Sequence, residues 1–330
     1  MIIKTPSRLH MSLIDLNCSY GRIDGGIGLT LSEPNFIIES EEIENGISVE
    51  FPKNIKDDEV VKECTNKIKS SAEKLLSHFG IDNGFNFKVH SAYAPHSGLG
   101  SGTQIKLALA KLITESINKP LSAIELSALV GRGGTSGVGT FCYEHGGFVI
   151  DGGHSLKEKS KYLPYSESNA NPPQLIGKYD FPEEWSVLVA IPKVEHSVSG
   201  MKEVDIFDKY CPVPKREVEQ LSHIILMNMV PFLLEKDIEG FGRSIDEVQK
   251  RGFKKVEVNL QPDVTTDLME FMRDSGAYGV GMSSFGPAIY TVFDDNNKDI
   301  VKATKKYLPS DATVFTTKVQ NHGYELLDGI

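Results

Sequence analysis

Residues 93–112, Y-A-P-H-S-G-L-G-S-G-T-Q-I-K-L-A-L-A-K-L, decide the fold of this 330-residue chain. The apolar residues just before this stretch alternate with polar ones as in a strand, whereas Ile105 and Leu109 recur at helical spacing. A glycine-rich turn at residues 98–102 connects the two patterns. A strand, a glycine loop and a helix start place backbone N–H groups at the positive end of a helix, where they bind phosphate. An ordinary tight turn is the alternative, but three glycines beside two hydroxyl side chains favour an anion site.

This loop differs from two common phosphate-binding motifs. No Lys-Ser or Lys-Thr pair follows Gly102, so the loop is not a Walker A motif. No acidic residue closes a following strand about twenty residues on, so the loop is not a dinucleotide-binding fingerprint either. The sequence therefore predicts a phosphate site of another kind.

The composition predicts a globular protein whose positive site is local. The length suits two domains of ordinary size. A formal net charge of −10 argues against nucleic acid as a partner. No apolar run reaches membrane-spanning length and no signal-peptide core is present, so we expect a cytoplasmic protein without membrane contacts. The four cysteines are scattered, which predicts reduced thiols and neither a disulfide framework nor a zinc site.

Charged residues interrupt the first predicted strands. Arg8 and His10 have the same parity in a strand, so both side chains should point to one face. A turn rich in charge and glycine follows at residues 20–26. This combination indicates a candidate site, whereas a solvated Arg8 and a core His10 are the alternative.

A second glycine-rich loop, G-R-G-G-T-S-G-V-G-T, occupies residues 131–140. Glycine loses more conformational freedom on folding than other residues, so packing alone does not readily explain two such loops in one domain. We therefore expect both loops to line one anionic site, with Arg132 supplying positive charge.

Local patterns predict further helices in the first half of the chain. Residues 57–79 carry an amphipathic pattern that Gly80 ends. Ser122 and Glu125 have the spacing of a capping box at the start of another helix.

A Ser-, Asn- and Pro-rich segment around residues 160–182 predicts a domain boundary. We place the first domain at residues 1–165 and the second at residues 166–330. Strands and helices mix in both, which predicts an α+β sandwich. The elements predicted in the second half are strands at 185–191, 288–293 and 313–318, and helices at about 213–235, 238–251, 263–274 and 299–307.

Residues 98–103, G-L-G-S-G-T, resemble the phosphate loop G-L-G-S-S-A of the GHMP kinase superfamily. Residues 276–292 are similar to the C-terminal glycine motif of that superfamily, which folds back toward the phosphate loop. The resemblance covers nearly the whole chain. It implies an N-terminal domain with a left-handed β-α-β unit, a C-terminal ferredoxin-like domain, a site between them and a homodimer.

Two acidic positions of these kinases are replaced in this chain. After the second loop the kinases usually carry an aspartate that acts as base or orients the acceptor hydroxyl. Residues 135–140, T-S-G-V-G-T, have glycine there. Many members also carry a glutamate ligand for magnesium a few residues earlier, where this chain has Gly-Arg-Gly at residues 131–133. We interpret this as a site that binds a polyphosphate leaving group without activating a hydroxyl.

Three longer stretches narrow the resemblance to one branch. Residues 5–17, T-P-S-R-L-H-M-S-L-I-D-L-N, residues 21–29, G-R-I-D-G-G-I-G-L, and residues 131–140 resemble the β-ribofuranosylaminobenzene 5′-phosphate synthase family of methanopterin biosynthesis. That archaeal-type family joins phosphoribosyl pyrophosphate to 4-aminobenzoate and releases pyrophosphate and CO₂. The resemblance implies a transferase, and the sequence leaves 4-aminobenzoate and 4-hydroxybenzoate open as the acceptor.

Candidate residues follow from this hypothesis. Arg8, Arg22 or both would hold the 5′-phosphate, because guanidinium groups match phosphate geometry. Asp15 or Asp24 would stabilise the ribosyl cation or orient the acceptor, and the resemblance implies Mg²⁺ bound at Ser101. The residues predicted to bind phosphate and substrate are Ser7, His10, Gly25, Gly26, Gly98, Leu99, Gly100, Ser101, Gly102, Thr103, Arg132, Gly133, Gly134, Thr135, Ser136, Gly137, Ser283 and Ser284.

Two other functions stay open at this point. An ATP-dependent sugar or isoprenoid kinase would use Asp151 or Asp24 as its base. A non-catalytic nucleotide-binding module would keep the loop and lack the chemistry. Weaker candidates, for which packing or an ordinary polar loop is the simpler interpretation, are Tyr143, His154, His196, Tyr278 and Phe285.

Overall fold

The computed structural model describes residues 1–53, 55, 57–164, 167–194 and 203–329. In these residues the chain forms two β-sheets with helices packed against them. The strands are β1 (Ile2–Asp15), β2 (Arg22–Ile43), β3 (Ile47–Glu50), β4 (Gly84–Ser91), β5 (Phe148–Asp151), β6 (His154–Ser155), β7 (Leu175–Tyr179), β8 (Ser186–Ile191), β9 (Val280–Met282), β10 (Ile289–Phe293), β11 (Thr313–Thr317) and β12 (Glu325–Leu327).

The helices are α1 (Asp58–Phe79), α2 (Ser101–Ser116), α3 (Ala123–Leu129), α4 (Val138–His145), α5 (Glu203–Tyr210), α6 (Lys215–Ile224), α7 (Val230–Glu235), α8 (Ile238–Gln249), α9 (Gly252–Asn259), α10 (Asp263–Asp274) and α11 (Asp299–Tyr307). A π-helical turn, Ile225–Met229, joins α6 to α7. No helix in the described ranges is both long and apolar enough to cross a membrane.

Two long antiparallel strands, β1 and β2, organise the first sheet. The alternating pattern predicts five short strands within residues 2–51, but the structure joins most of them into these two. Their pairing is interrupted by shifts in register between Thr5 and Ser7 and between His10 and Ser12. The polar residues of β1 therefore lie inside a continuous strand and do not end it.

The parallel pair β3–β4 encloses α1 and forms a β-α-β unit. The Asp57 side chain caps α1 by accepting from the Glu59 and Val60 N–H groups, and Gly80 ends the helix in the left-handed conformation. The buried face of α1 includes Cys64 and Ile68, as the amphipathic pattern predicts.

The second sheet has the strand order β11-β8-β10-β9, and all its pairs are antiparallel. Counted along the chain this order is 4-1-3-2, which is that of a ferredoxin-like unit. Helices α10 and α11 cover it through a core that contains Leu268 and Ile300. The α+β class and the ferredoxin-like second half are confirmed.

The first sheet extends past the predicted boundary at residue 165. Strand β7 pairs with β5, and β12 returns to pair with β1. A continuous core also joins the halves, since Phe241 contacts Phe148 of β5 and Trp185 with ring centroids 6.1 and 5.8 Å apart. The two sheets are therefore parts of one packed body.

Candidate functional site

A cavity of about 620 Å³ lies between β1, the two glycine loops and elements of the second half of the chain. We call it the central cavity. The predicted site residues that line it are Arg8, His10, Gly98, Gly100, Ser101, Gly102, Thr103, Arg132, Gly133, Thr135, Ser136 and Ser284.

The phosphate loop ends at the N-terminus of α2, which begins at Ser101 without a side-chain cap. The Gly100 carbonyl accepts from the N–H groups of Thr103 and Gln104 at 3.1 and 3.2 Å. The first N–H groups of a helix have no partner within the helix, so this end favours an anion. Gly100 has φ 82°, and a Cβ there would lie 3.0 Å from the Arg8 side chain. The left-handed backbone and the adjacent Arg8 side chain both require glycine at position 100.

Strand β1 and the second half of the chain hold this loop together. Arg8 Nη1 donates to the Gly98 carbonyl at 2.7 Å, and the Arg8 backbone N–H donates to the Leu99 carbonyl at 3.1 Å. The Ser283 hydroxyl donates to the Gly98 carbonyl at 2.7 Å and accepts from the His10 N–H at 2.9 Å. The middle of β1, the phosphate loop and Ser283 therefore share one hydrogen-bond network.

The second glycine loop faces the first across the cavity. A Cβ on Gly102 would lie 2.9 Å from Arg132 Nη2, so this arginine lies directly above the start of α2. Burial lowers the pKa of nearby Lys106 to about 8, and the charge of Arg132 acts in the same direction. A locally positive region thus exists in a chain of net charge −10.

Close packing accounts for part of the glycine content of the second loop. Gly133 has φ 89°, and a Cβ there would meet Pro172 at 2.7 Å. A Cβ on Gly134 would meet Ser168 at 2.8 Å, and one on Gly137 would clash with Phe141. The loop therefore lines the cavity and also packs tightly against the segment that follows it.

His10, Ser136 and Asp151 form a chain of hydrogen bonds beside the cavity. His10 Nε2 lies 3.2 Å from Ser136 Oγ, which donates to Asp151 Oδ2 at 2.9 Å. Burial holds the pKa of His10 well below its usual range, and the charges of Arg8 and Lys254 act in the same direction. His10 is therefore a neutral imidazole at neutral pH.

Asp24 lies in a buried ion pair away from the cavity wall. Its carboxylate accepts from Lys159 Nζ at 3.0 and 3.2 Å and lies 2.6 Å from His154 Nδ1. Lys159 also donates to the Gly134 carbonyl and the Thr135 hydroxyl. Asp24 thus anchors the second glycine loop from behind.

Asp15 and Arg22, the other predicted catalytic residues, also lie outside the cavity lining among the described residues. Asp15 Oδ1 accepts from the N–H groups of Asn17 and Cys18, closing the turn after β1. Arg22 is exposed and donates to the Gly152 and Gly153 carbonyls. Only Arg8 of the four residues predicted to be catalytic reaches the cavity.

The remaining predicted residues support the site without lining it. Gly25 has φ 76°, and a Cβ on Gly26 would meet Ser136 Oγ at 2.8 Å. Leu99 is 2% exposed and belongs to the core. The predicted residues outside the cavity lining are Ser7, Asp15, Arg22, Asp24, Gly25, Gly26, Leu99, Gly134, Gly137 and Ser283.

Of the weaker candidates, only Phe285 lines the cavity among those the structure describes. Tyr143 is buried and stacks on Tyr324 with centroids 4.6 Å apart, and the Tyr278 hydroxyl donates to Asp294. His154 is bound to Asp24, as described above. His196 lies outside the described residues.

Sequence reasoning missed the acidic and apolar residues that the second half contributes. Glu203, Ile206 and Phe207 on α5 and Glu257 on α9 line the cavity, and Leu13 of β1 in the first half lies on the same lining. Neither helix was predicted, because both are short and follow loop-like segments. The three-residue spacing of Lys254 and Glu257 in the sequence is compatible with an ion pair on a helix, since residues three apart on a helix are neighbours.

Glu257 and Lys254 form a buried ion pair whose side chains are 3% and 0% exposed. Lys254 Nζ also donates to the Met282 and Ser284 carbonyls at 3.2 and 3.1 Å. Burial raises the pKa of Glu257 and lowers that of Lys254. Burial also raises the pKa of Glu203, and the Glu257 charge acts in the same direction.

Oxygen donors near the phosphate loop are compatible with Mg²⁺. The described residues contain no group of three or more His, Cys, Asp or Glu side chains arranged as a metal site. Mg²⁺ is commonly held through one or two protein oxygens together with substrate phosphates and water. The hydroxyls of Ser101 and Thr103 and the carboxylate of Glu203 line the cavity and supply such oxygens.

Comparisons with known proteins agree with this architecture. Residues 66–146 match the GHMP kinases N terminal domain, and residues 229–308 match the GHMP kinases C terminal family. The chain resembles the Leishmania major mevalonate kinase solved with R-mevalonate, with a TM-score of 0.70 over 97% of this chain and 96% of that one. The sequence identity there is 15%, so this similarity shows the fold alone.

Full-length relatives are closer in sequence. The chain is 47% identical to the beta-ribofuranosylphenol 5′-phosphate synthase of Methanothermobacter thermautotrophicus, over 98% of this chain and 97% of that protein. It is 45% identical to the protein of the same name from Methanocaldococcus jannaschii, over 99% of this chain and 100% of that protein. The chain therefore belongs to the beta-ribofuranosylphenol 5′-phosphate synthase family, built on the two-domain fold of the GHMP kinases.

Proposed function

We propose that this chain transfers the phosphoribosyl group of phosphoribosyl pyrophosphate to an aromatic acid, with loss of pyrophosphate and CO₂, in methanopterin biosynthesis. The observation that carries the proposal is the pair of facing glycine loops with Arg132 above the start of α2. This arrangement suits a polyphosphate. The names of the 47% and 45% identical relatives support the same reaction class.

The two loops stabilise the departing pyrophosphate. Negative charge grows on the leaving group as the anomeric C–O bond breaks. N–H groups at the start of α2 and the guanidinium of Arg132 are already oriented toward the cavity, so they need no reorganisation as that charge develops. Arg8 is the guanidinium within the cavity that suits the 5′-phosphate, because Arg22 is directed to the Gly152 and Gly153 carbonyls.

The acceptor is 4-hydroxybenzoate in this proposal. The relatives are named for a ribosylated phenol, which corresponds to 4-hydroxybenzoate and not to 4-aminobenzoate. The ring carbon that bears the carboxylate attacks the anomeric carbon, and CO₂ then leaves. Because that step removes a localised charge, a poorly solvated wall beside the carboxylate favours it.

Magnesium and a cytoplasmic homodimer complete the proposal. Bound Mg²⁺ would neutralise part of the pyrophosphate charge, with Ser101 and Glu203 as its protein oxygens. A chelator should then abolish turnover, and added Mg²⁺ should restore it. Sedimentation at working concentration tests the dimer.

A kinase is the rival function, and the geometry argues against it. A phosphoryl-transfer base must reach the acceptor hydroxyl. Neither Asp151 nor Asp24 lines the cavity within the described part of the chain. Asp151 instead accepts from the N–H groups of Gly137 and Gly153 and from the Ser136 hydroxyl.

The test is release of labelled CO₂ from carboxyl-labelled 4-hydroxybenzoate, measured together with pyrophosphate. Both products should form in equal amounts and only when phosphoribosyl pyrophosphate is present. Arg132→Ala should lower turnover about 100-fold or more without changing thermal unfolding, by analogy with loss of one oriented donor. Arg243→Ala is the matched control, because the Arg243 side chain is 61% exposed and lies outside the cavity lining.

Three results would contradict the proposal. Phosphoryl transfer from ATP to sugar or isoprenoid alcohols would establish a kinase. Tight binding of phosphoribosyl pyrophosphate without either product would indicate a binding module. A loss of folding in Arg132→Ala would make that residue structural.

A further inference from the structure

Part of the central cavity wall is apolar and aromatic. Leu13, Ile206 and Phe207 line the cavity and belong to one buried cluster, against which Phe285 packs. Phe253 sits between the two cavity aromatics, with ring centroids 4.7 Å from Phe207 and 6.0 Å from Phe285. A benzene ring fits such a wall, since aromatic pairs favour stacked and edge contacts at these separations.

The carboxylate of Glu257 is buried in the cavity lining to which this aromatic wall belongs. Glu257 lies one helical turn after Phe253 on α9, so the two side chains project from the same face of the helix. Glu257 lines the cavity although it is only 2% exposed. The transfer mechanism above gives it no task.

The groups around Glu257 fix the position of its carboxylate and set its pKa. Lys254 contacts its carboxylate and is itself fixed by the Met282 and Ser284 carbonyls. Burial raises the pKa of Glu257, and the positive charges of Lys254 and Arg8 partly oppose that shift. Replacing a buried ion pair by apolar residues often leaves stability unchanged or raises it, so stability alone is a weak reason for this pair. A buried, perturbed carboxylate in a cavity is typical of a functional group.

We propose that Glu257 accepts the hydrogen bond of the acceptor's para hydroxyl and takes its proton as the ring attacks. This assignment rests on the proposed transferase function and deepens it. The Leu13, Ile206, Phe207 and Phe285 wall is then the subsite for the ring.

The O–H bond electrons stay on the phenolic oxygen and move into the ring, whose carboxylated carbon forms the C–C bond to the anomeric carbon. The anomeric C–O bond breaks, and its electrons leave with pyrophosphate. The bond to the carboxylate carbon then breaks, its electrons restore the aromatic ring, CO₂ departs, and Glu257 returns the proton to the oxygen.

The assignment explains a preference for a hydroxyl over an amine. A phenol becomes much more electron-rich when its proton is removed, whereas an arylamine can supply its nitrogen lone pair without losing a proton. A base beside the para substituent therefore assists the phenol more. Both a hydroxyl and an amine can donate a hydrogen bond to this buried carboxylate, whereas an acceptor without a para donor would leave it unpaired.

Glu257→Gln in the full chain tests the assignment, with the carboxylate removed and the shape kept. The kcat/KM for 4-hydroxybenzoate should fall about 100-fold, the usual scale of a lost general base. The Kd for phosphoribosyl pyrophosphate, measured by calorimetry, should change less than about twofold, since the loops are untouched. Glu247→Gln is the matched control, because Glu247 pairs with a lysine three residues away on an exposed part of α8; it should behave as wild type.

Fluorinated acceptors separate a base from a structural residue. Fluorine beside the hydroxyl lowers the phenol pKa, so 3-fluoro-4-hydroxybenzoate loses its proton more readily than 4-hydroxybenzoate, and 3,5-difluoro-4-hydroxybenzoate more readily still. The wild-type to Glu257→Gln ratio of kcat/KM should shrink to about tenfold or less across this series. If Glu257→Gln fails to fold, the double variant Lys254→Met with Glu257→Gln removes the unpaired ammonium and takes its place.

The outcomes distinguish the two levels of the proposal. An undiminished rate in Glu257→Gln, or an equal loss with every acceptor together with weaker phosphoribosyl pyrophosphate binding, overturns the role of Glu257. If wild-type protein releases no CO₂ from any of these acceptors or from 4-aminobenzoate, the transferase function itself has failed.

Discussion

The buried carboxylate of Asp151 accepts three hydrogen bonds. The Ser136 hydroxyl and the Gly137 N–H donate to one oxygen, and the Gly153 N–H donates to the other. Burial still raises the pKa of Asp151 from 3.8 to about 6, because the donors only partly offset the loss of water. At the residue scale, desolvation dominates this carboxyl even where it is fully hydrogen-bonded.

This pKa gives a stability prediction with a definite sign. Between about pH 4 and pH 6 the folded state binds the Asp151 proton more tightly than the unfolded state does. The contribution of Asp151 is therefore present below the unfolded pKa of 3.8 and is lost as the pH rises through about 6. The difference between the two values corresponds to about 3 kcal/mol of unfolding free energy.

Urea unfolding of wild type and Asp151→Asn at a series of pH values checks this. Apart from Asp24, whose charge acts on Asp151, other carboxyls should titrate alike in both proteins, so the difference in their unfolding free energies reports mainly on Asp151. That difference should shift against the wild type by up to about 3 kcal/mol between pH 4 and pH 7. A pH-independent difference would show that Asp151 has an ordinary pKa.

Gly80 and Gly100 both lie at helix boundaries, but only Gly100 also lines the cavity. Gly80 ends α1 at φ 64° with no atom near a hypothetical Cβ, whereas Gly100 starts α2 at φ 82° against Arg8. Both positions require the left-handed conformation. A side chain added at position 100, but not one added at position 80, would also displace Arg8, which lines the cavity.

Gly80→Ala and Gly100→Ala therefore form a matched pair. Each should lower the unfolding free energy by about 1–2 kcal/mol through backbone strain. Gly80→Ala should keep full pyrophosphate release, while Gly100→Ala should lose at least about tenfold, because Arg8 and the loop are displaced together. Equal activity in the two variants would contradict a functional role for the loop geometry.

The elements themselves were predicted unevenly. As predicted, α1 ends at Gly80 and α3 begins at the Ser122–Glu125 capping box, because such signals act within a few residues. Helices α5 and α9 carry weak local signals and depend on packing against the first half of the chain. Because Glu203 and Glu257 lie on these two helices, the acidic part of the cavity wall that they form escaped prediction.

The whole molecule shares one core between its sheets. Phe148 of the first sheet contacts Phe241, which also contacts Phe181 and Trp185 of the second half. The walls of the cavity also come from both halves of the chain. We therefore expect both halves to unfold together.

Trp185, the one tryptophan in the chain, reports on this cooperativity. Its fluorescence and far-UV circular dichroism should give coincident urea transitions, as in two-state unfolding. Phe148→Ala should destabilise both signals together by about 3–5 kcal/mol, since the ring is fully buried. Leu226→Ala, at a side chain 62% exposed, is the control and should leave the midpoint nearly unchanged. A Trp185 transition that stays in place in Phe148→Ala would mean that the halves unfold separately.

The sequence by itself determined the phosphate loop, the helix caps, the fold class and the family, because these depend on glycine conformations and apolar periods over a few residues. Only the tertiary structure decided which charges reach the cavity. Asp15, Arg22 and Asp24 lie close to Arg8 in the chain, yet none of them lines the cavity. Asp15 accepts from N–H groups of the turn after β1, Arg22 donates to loop carbonyls, and Asp24 pairs with a buried lysine. Glu257, remote in sequence, enters the cavity because α9 packs on β1. Strand pairing and helix packing place a side chain, and both are set by partners far along the chain.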